Sequence, residues 1–418
     1  MGLSAVKGTR DILPDEVGIW QKVERAARDV LSLAGYQEIR PPIFEFTDLF
    51  VRGIGEATDV VDKEMYSFRT KGDDDITLRP EGTAGVVRSY IQHSLHAQGD
   101  VQRLWYCGPM FRYERPQKGR QRQFHQIGLE LLGTDDPRAD AEAIAVATDT
   151  LKAIGLANLS VSLNSVGSRE DRQAFRSALT RYLEPFQDDL DPDSQARLIR
   201  NPLRILDSKV GRTQELLIGA PQLLETLCPE SRSRFDRVRS QLEALGITYA
   251  IDPKLVRGLD YYTHTAFEIQ SDDLGAQNAV CGGGRYDGLV SELGGPETAS
   301  VGWAMGMERL ILLLQEKKDA PQLPVDVYVV SKGEAAENVA LAIAQQLRGA
   351  GIATSMDFSG SAFKKQFKRA DRSGATWAVI IGDAEAESDR VQLKHLESGE
   401  QVTVERTDLV SAIRAPRS

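Results

Sequence analysis

The sequence predicts a mixed α/β (α+β) protein: an antiparallel-sheet domain with a helical insertion, followed by a smaller C-terminal α/β domain. Three observations predict it. Residues 101–113 (VQRLWYCGPMFRY) and 123–132 (QFHQIGLELL) read as two strands around a basic, turn-rich loop, an antiparallel hairpin with a long tip. Residues 170–245 are charge-rich and helical in pattern, without the alternating strands found on either side. After the polar, Pro-containing stretch 315–324 (QEKKDAPQLP), strand and helix patterns alternate, as in a small α/β domain with a mostly parallel core. A length of 418 residues, with 41% hydrophobic and 27% charged residues, is globular in composition and sufficient for roughly two to four domains.

In chain order, apolar residues at Ile19, Val23, Ala26, Ala27, Val30, Leu31 and Ala34 have helical spacing, with Asp15 as expected N-cap and Gly35 as stop. Tyr36 to Arg40 reads as a short strand halted by Pro41-Pro42. Residues 76–84 read as strand, turn and helix start, 139–154 as an Ala-rich helix and 159–165 as an alternating strand. Strand-like segments resume at 265–270 and 279–281, and 298–314 runs from a Gly-containing strand into an apolar helix. In the C-terminal domain the expected order is strand 325–330, helix 334–350, strand 352–356, helix 361–373 and strand 375–381.

Fifty-one Lys and Arg against 61 Asp and Glu give a net charge of −10, which disfavours a nonspecific DNA coater because phosphate neutralisation needs positive charge. Cys107, Cys228 and Cys281 are far apart and form no C-x-x-C, so neither a zinc site nor a disulfide framework is indicated, and reduced thiols in a cytoplasmic protein are expected. No apolar run approaches the ~18 residues of a membrane span. No secretory signal pattern opens the chain, and Val6 stands where a myristoylation start needs Ser or Thr.

Charge is positive in two places. Arg112, Arg115, Lys118, Arg120 and Arg122 oppose only Glu114 between the hairpin strands, flanked by Phe111, Tyr113 and Phe124. Guanidinium forks suit phosphate oxygens and aromatic faces can stack on bases; the alternative is a solvated hairpin tip. Lys364, Lys365, Lys368, Arg369 and Arg372 oppose only Asp371 on a C-terminal helix, which alone describes a solvated face. The stretch 282–288 (GGGRYDG) is not a phosphate-loop pattern and is expected to form a tight turn between strands. Arg309, where a Gly-bearing strand meets a helix, faces a phosphate or forms a capping ion pair with equal weight. His93 and His96 have no third ligand nearby, so they are expected on the surface or in packing, and no metal ligand set is assigned.

These segments together resemble the histidyl-tRNA synthetase family of class II aminoacyl-tRNA synthetases, over nearly the whole chain. KGTRDILP (7–14) and GYQEIRPPIFE (35–45) are similar to the family's start and motif 1, FRYE (111–114) with its basic loop to motif 2, and GWAMGMERL (302–310) to motif 3. LVRGLDYY (255–262) is similar to the histidine-specific element, and TLRPEGT (77–83) and GGGRYDG lie in the family's order. The resemblance implies a class II antiparallel-sheet catalytic domain in two parts (1–169 and 246–314), a helical insertion (170–245), a linker (315–324) and an anticodon-binding α/β domain (325–418). It implies ATP-dependent attachment of L-histidine to the 3′ end of histidine tRNA through a histidyl-adenylate, magnesium arriving with ATP, a homodimer built on motif 1, and neither a DNA nor a membrane partner.

Site residues follow from the same resemblance. Arg112 would hold the α-phosphate and the substrate carboxylate, Arg309 the γ-phosphate, Phe124 and Glu114 the adenine, and Arg257 the charge that develops on the α-phosphate. Glu81, Gly82, Thr83 and Gln126 would surround the substrate α-amino group, Glu130 and Tyr262 would read the imidazole nitrogens, and Tyr261 would line the pocket. That pair also makes physical sense, since a neutral imidazole offers one donor and one acceptor, and a competitor lacking either would leave a buried group unpaired. Arg115, Gln117, Lys118, Arg120 and Arg122 are expected near the acceptor end of the tRNA, and Lys364, Lys365, Lys368 and Arg369 on its backbone. The rival reading is the histidine-binding regulatory subunit of ATP phosphoribosyltransferase, a paralogue that typically lacks the C-terminal domain and erodes the motif residues.

Overall fold

Leu13 and Pro14 set where the first helix begins. The computed structural model describes residues 3–55, 58–99, 101–117, 119–200, 202–256, 259–271, 279–316 and 325–415, and forms two units, Met1–Pro321 and Gln322–Ser418. In α1 (Pro14–Leu33) the N-cap is Leu13 rather than Asp15. Pro14 takes the first helical position, where a missing N–H costs nothing, and Asp15 and Glu16 lie in the first turn against the positive end of the dipole. Ile19, Trp20, Val23, Ala27 and Leu31 form its buried stripe.

The short β1 (Gln37–Glu38) leads to a small antiparallel sheet of β2 (Phe44–Phe46), β3 (Tyr66–Arg69) and β4 (Asp75–Leu78), with β4 central and α2 (Thr47–Ile54) following β2. Next come α3 (Thr83–Gln92) and the expected hairpin, β5 (Gln102–Phe111) and β6 (Gln123–Leu132), in unbroken register from Gln102↔Leu132 to Phe111↔Gln123. Helix α4 (Pro137–Ile154) is capped by the Asp136 carboxylate, which accepts from the Arg138 amide at 2.9 Å, and is followed by β7 (Leu159–Ser165).

The helical region comprises α5 (Arg169–Leu183), α6 (Pro192–Arg200), α7 (Gly211–Leu217), α8 (Leu223–Thr226) and α9 (Pro229–Ala244). Phe175, Leu179, Leu183, Leu198, Ile205 and Leu217 form a core of their own. Helix α9 differs, because its Phe235, Val238 and Leu242 join the core that also holds α1 and α4. The chain re-enters the large sheet through β8 (Tyr249–Ile251), β9 (Thr263–Ser271) and β10 (Ala279–Arg285), then α10 (Leu289–Glu292), β11 (Ser300–Gly306) and α11 (Met307–Glu316). The eight strands run in the order β1-β5-β6-β11-β10-β9-β7-β8, antiparallel except for the edge pairs β1·β5 and β7·β8.

Gly282, Gly283 and Gly284 do not form the expected turn; they sit inside β10, paired with β9 and β11. A Cβ on Gly283 would lie 2.2 Å from the Gly302 carbonyl oxygen, and one on Gly284 2.4 Å from that of Thr265. The glycines serve close strand approach, a need that resembles a turn signal when only sequence is visible.

The second unit contains β12 (Val327–Ser331), α12 (Glu334–Gly349), β13 (Thr354–Met356), α13 (Phe363–Arg372), β14 (Trp377–Ile381), α14 (Asp383–Ala386), β15 (Arg390–His395), β16 (Gln401–Glu405) and α15 (Leu409–Arg414). Its sheet order is β13-β12-β14-β15-β16. The first two pairings are parallel, but β14·β15 and β15·β16 are antiparallel, so the core is less parallel than expected. The short connection between β15 and β16, with Gly399 at φ 75°, permits only an antiparallel return. Of the linker 315–324, residues 317–324 lie outside those described.

Candidate active site

Strand alternation places one face of β6 on a cavity. Ile127, Leu129 and Leu131 point into the core with α1 and α4, so Phe124, Gln126, Gly128 and Glu130 point the other way. From β11 next door, Gly302 and Ala304 share that cavity face while Val301, Trp303 and Met305 pack in the core.

The face is lined by two adjoining chambers. The inner one, about 200 Å³, is bounded by Glu81, Thr83, Tyr106, Gln126, Glu130, Tyr261, Tyr262, Tyr286 and Gly302. The outer one, about 270 Å³, is bounded by Glu114, Gly119, Arg120, Phe124, Glu268, Glu308 and Arg309. Arg112, Gln126, Gly282 and Ala304 line both.

Glu130 lies at the bottom of the inner chamber and is 1% exposed. Its carboxylate accepts from the Thr83 hydroxyl at 2.7 Å and from the Tyr286 hydroxyl. Burial pushes its pKa up to about 8 even though these hydroxyls oppose the shift. Glu81 is also buried and caps the start of α3, accepting from the backbone amides of Thr83 at 2.6 Å and Ala84 at 2.8 Å; burial again raises its pKa. The Gln126 side-chain oxygen is buried without a hydrogen-bond partner among the described residues, an unmet acceptor on a residue that lines both chambers. Tyr261 packs between Tyr262 and Tyr286, with ring centroids 4.8 and 5.6 Å away.

Two aromatic walls have no counterpart in the sequence reading. Tyr106 from β5 and Tyr286, just after β10, close the inner chamber. Tyr106 fits because Gly82 and Gly128 lack side chains: a Cβ at either would come within 2.2 Å of the Tyr106 ring. A glycine at an in-facing strand position, two residues from Glu130, was the available signal.

In the outer chamber the Arg112 guanidinium lies 5.3 Å from the Phe124 ring centre, and its Nε donates to the Pro80 carbonyl at 2.9 Å. Arg309 donates to the Ala279 carbonyl at 2.5 Å, and burial lowers its pKa from the usual value. The alternative of a capping ion pair with Glu308 does not arise, because the Glu308 carboxylate accepts from the His125 amide at 3.0 Å and meets its ring nitrogen. Arg309 is thus left on the cleft wall.

The loop between β5 and β6 closes on itself through reciprocal Gln117–Arg120 backbone hydrogen bonds, with Gly119 at φ 74°. Arg120 pairs with Glu114 at 3.2 Å, Arg115 and Gln117 are exposed, and Arg122 stacks 3.8 Å from the Tyr113 ring centre while donating to the Glu114 carbonyl. Lys118 and Arg257 lie outside the described residues. On α13, Lys364, Lys365 and Lys368 are exposed, whereas the Arg369 guanidinium turns to Asp357 at 2.7 Å. His96 tilts against Tyr90, and no cluster of three or more His, Cys, Asp or Glu suited to a metal ion occurs among the described residues.

Comparison with known proteins gives the family and the fold. Residues 8–310 match the family described as Histidyl-tRNA synthetase, and residues 326–415 match the Anticodon binding domain. The chain is 62% identical over 416 residues to the histidine–tRNA ligase of Synechococcus sp. (strain JA-3-3Ab), covering 99% of both chains. It is 64% identical over 411 residues to that of Gloeothece citriformis (strain PCC 7424), covering 98% of this chain and 96% of the relative. The crystal structure of apo S. aureus histidyl-tRNA synthetase superposes with a TM-score of 0.84 at 38% identity, covering 99% of this chain and 100% of that one.

Proposed function

The chain belongs to the histidyl-tRNA synthetase family and is a histidine–tRNA ligase that uses ATP, and from that premise we propose which of its residues carry the reaction. One observation carries the proposal: two chambers of different chemistry meet at Arg112 and Gln126. Histidine takes the inner chamber and ATP the outer, so the carboxylate and the α-phosphate meet where Arg112 stands. The carboxylate oxygen attacks phosphorus, pyrophosphate leaves, and the 3′-terminal ribose hydroxyl of the tRNA then attacks the activated carbonyl to release AMP. Arg112 neutralises both anions, and Arg257 stabilises charge developing on the α-phosphate, so catalysis is positioning plus electrostatics.

Recognition of histidine follows from the inner wall. Glu130 accepts from one imidazole nitrogen and Tyr262 donates to the other, with Tyr261 holding the Tyr262 ring. The unmet oxygen of Gln126 supports it as a receiver of the α-amino group, beside Glu81, Gly82 and Thr83. Phe124 stacks on adenine, Glu114 receives its amino group, and Arg309 binds the γ-phosphate. Magnesium comes with the ATP phosphates; Glu268 on the outer wall is an oxygen donor of the kind such an ion takes alongside phosphate. Arg115, Gln117, Lys118, Arg120 and Arg122 flank the path of the acceptor end. We place the protein in the cytoplasm, in keeping with three cysteines that form no disulfide; among the described residues no helix is long and apolar enough to cross a membrane.

We further propose a homodimer. One face of the small sheet carries Phe44, Phe46 and Phe68, with Tyr66, Ile76 and Leu78 paired beside them, and the three phenylalanines are exposed. An apolar face of this kind fits a second copy.

Histidine-dependent ATP–pyrophosphate exchange tests the site. Glu130→Ala is expected to lose histidine activation while retaining ATP binding, and Arg257→Ala to lose adenylate formation while still folding. Near-normal exchange in either variant sinks its assignment.

A further inference from the structure

The most exposed large aromatic side chain among the described residues is Phe358, at 85% exposure, in the loop after β13. That loop is held in place. Arg369 donates to the Asp357 carboxylate at 2.7 Å, the Ser359 hydroxyl at 2.8 Å and the Ser361 hydroxyl at 3.0 Å. Asp357 accepts in turn from the Ser359 amide at 2.8 Å. Buried Gln366 ties the loop to the end of β12, donating to the carbonyls of Ser361 at 2.7 Å and Ser331 at 2.6 Å. An apolar ring displayed on a pre-ordered loop has had its ordering cost met before any partner arrives.

Its place in the sheet also marks a binding position. The chain runs from β12 to β13 on one side, then crosses to β14 on the other, so the order of the parallel strands reverses at β12. Ligands of open α/β sheets bind beyond the carboxyl ends of the strands at such a reversal. Phe358 stands at that end, beside the first turns of α13 with exposed Lys364, Lys365 and Lys368. Glu337 of α12 lies on the opposite flank, near Gly360, so a polyanion is directed to the α13 side.

We propose that Phe358 stacks on an unpaired base of the tRNA anticodon loop, with Lys364, Lys365 and Lys368 on the adjoining phosphates and Arg369 as the residue that positions the loop. This rests on the reading that residues 325–418 bind the anticodon arm. Base–aromatic stacking supplies contact area, and the three ammonium groups supply charge complementarity. Arg369 therefore acts through Phe358 rather than on the nucleic acid itself.

The test is aminoacylation by the full-length protein of two substrates, a histidine tRNA transcript and an acceptor-stem minihelix lacking the anticodon arm. Phe358→Ala is expected to raise KM for the full transcript by about 5- to 100-fold. The minihelix KM and histidine-dependent pyrophosphate exchange stay unchanged. Phe358→Trp retains the affinity and its indole is quenched on adding tRNA, whereas Phe358→Leu, apolar without a π face, behaves like the alanine variant. An unchanged KM in Phe358→Ala, while the parent still prefers the full transcript, overturns the stacking role. A parent that does not distinguish the two substrates overturns the anticodon reading instead. A change in sedimentation of Phe358→Ala without a change in tRNA KM assigns the ring to a protein contact and likewise overturns the proposal.

Discussion

At the residue scale the informative group is Glu130, whose environment holds a proton that the unfolded chain would release. Its pKa is raised by burial to about 8, against ~4.3 for a solvated glutamate. The group's contribution to stability is therefore complete below pH ~4.3 and is lost as pH rises through about 8, because the folded state binds the extra proton in that window. Glu130→Gln carries no titrating proton, so its stability relative to the parent is expected to improve from pH 5 to about pH 8 and to level off toward pH 9. Urea denaturation at intervals across that range measures this, and a difference independent of pH would show that Glu130 is ionised in the folded protein. Much of this pocket could be read from sequence. Phe124, Gln126 and Glu130 alternate along one strand beside a recognisable basic loop. Tyr106 and Tyr286 could not be read so, because they matter only once the hairpin brings Tyr106 over Gly128 and β10 brings Tyr286 to a carboxylate 156 residues away.

At the element scale, glycine decides how closely strands approach. Gly283 faces the Gly302 carbonyl and the Trp303 Cβ, which would lie 2.2 and 2.6 Å from an added methyl group. Gly283→Ala is expected to destabilise the protein by about 1–3 kcal/mol as a core overpacking change. Gly211, at the start of α7, has nothing within 4 Å of its added Cβ, and Gly211→Ala is expected to be neutral or stabilising by up to ~1 kcal/mol. Denaturation midpoints of the two variants provide the comparison, and equal effects would contradict the close-approach argument. The same strand explains why GGGRYDG reads as a turn: consecutive glycines look alike whether they free a φ angle or admit a neighbouring backbone. The helical segments were easier to recognise, since a 3.6-residue apolar stripe is a local property. Even so, α9 joined the main core while α5 to α8 formed another, a choice invisible in the helices' own patterns.

At the scale of the whole molecule, charge and exposed apolar surface describe its partners. A net charge of −10 coexists with a basic loop beside the outer chamber and a basic helix beside Phe358, an arrangement suited to selective rather than general attraction of a polyanion. Phe46, 63% exposed on the small sheet, lies in the face we assign to the dimer. Phe46→Lys is expected to shift the protein toward monomer in sedimentation velocity, and a parent already monomeric at micromolar concentration would remove the assignment. The sequence by itself determined the types of most elements, the family and its reaction, because periodicity, turn chemistry and motif order are written within short stretches of chain. The tertiary structure decided the protonation tendency of Glu130, the tyrosine walls around it, the commitment of Arg369 to a loop and the exposure of Phe358. Those properties depend on burial and on partners distant in sequence, such as Thr83, 47 residues from Glu130, and only folding establishes which of them meet.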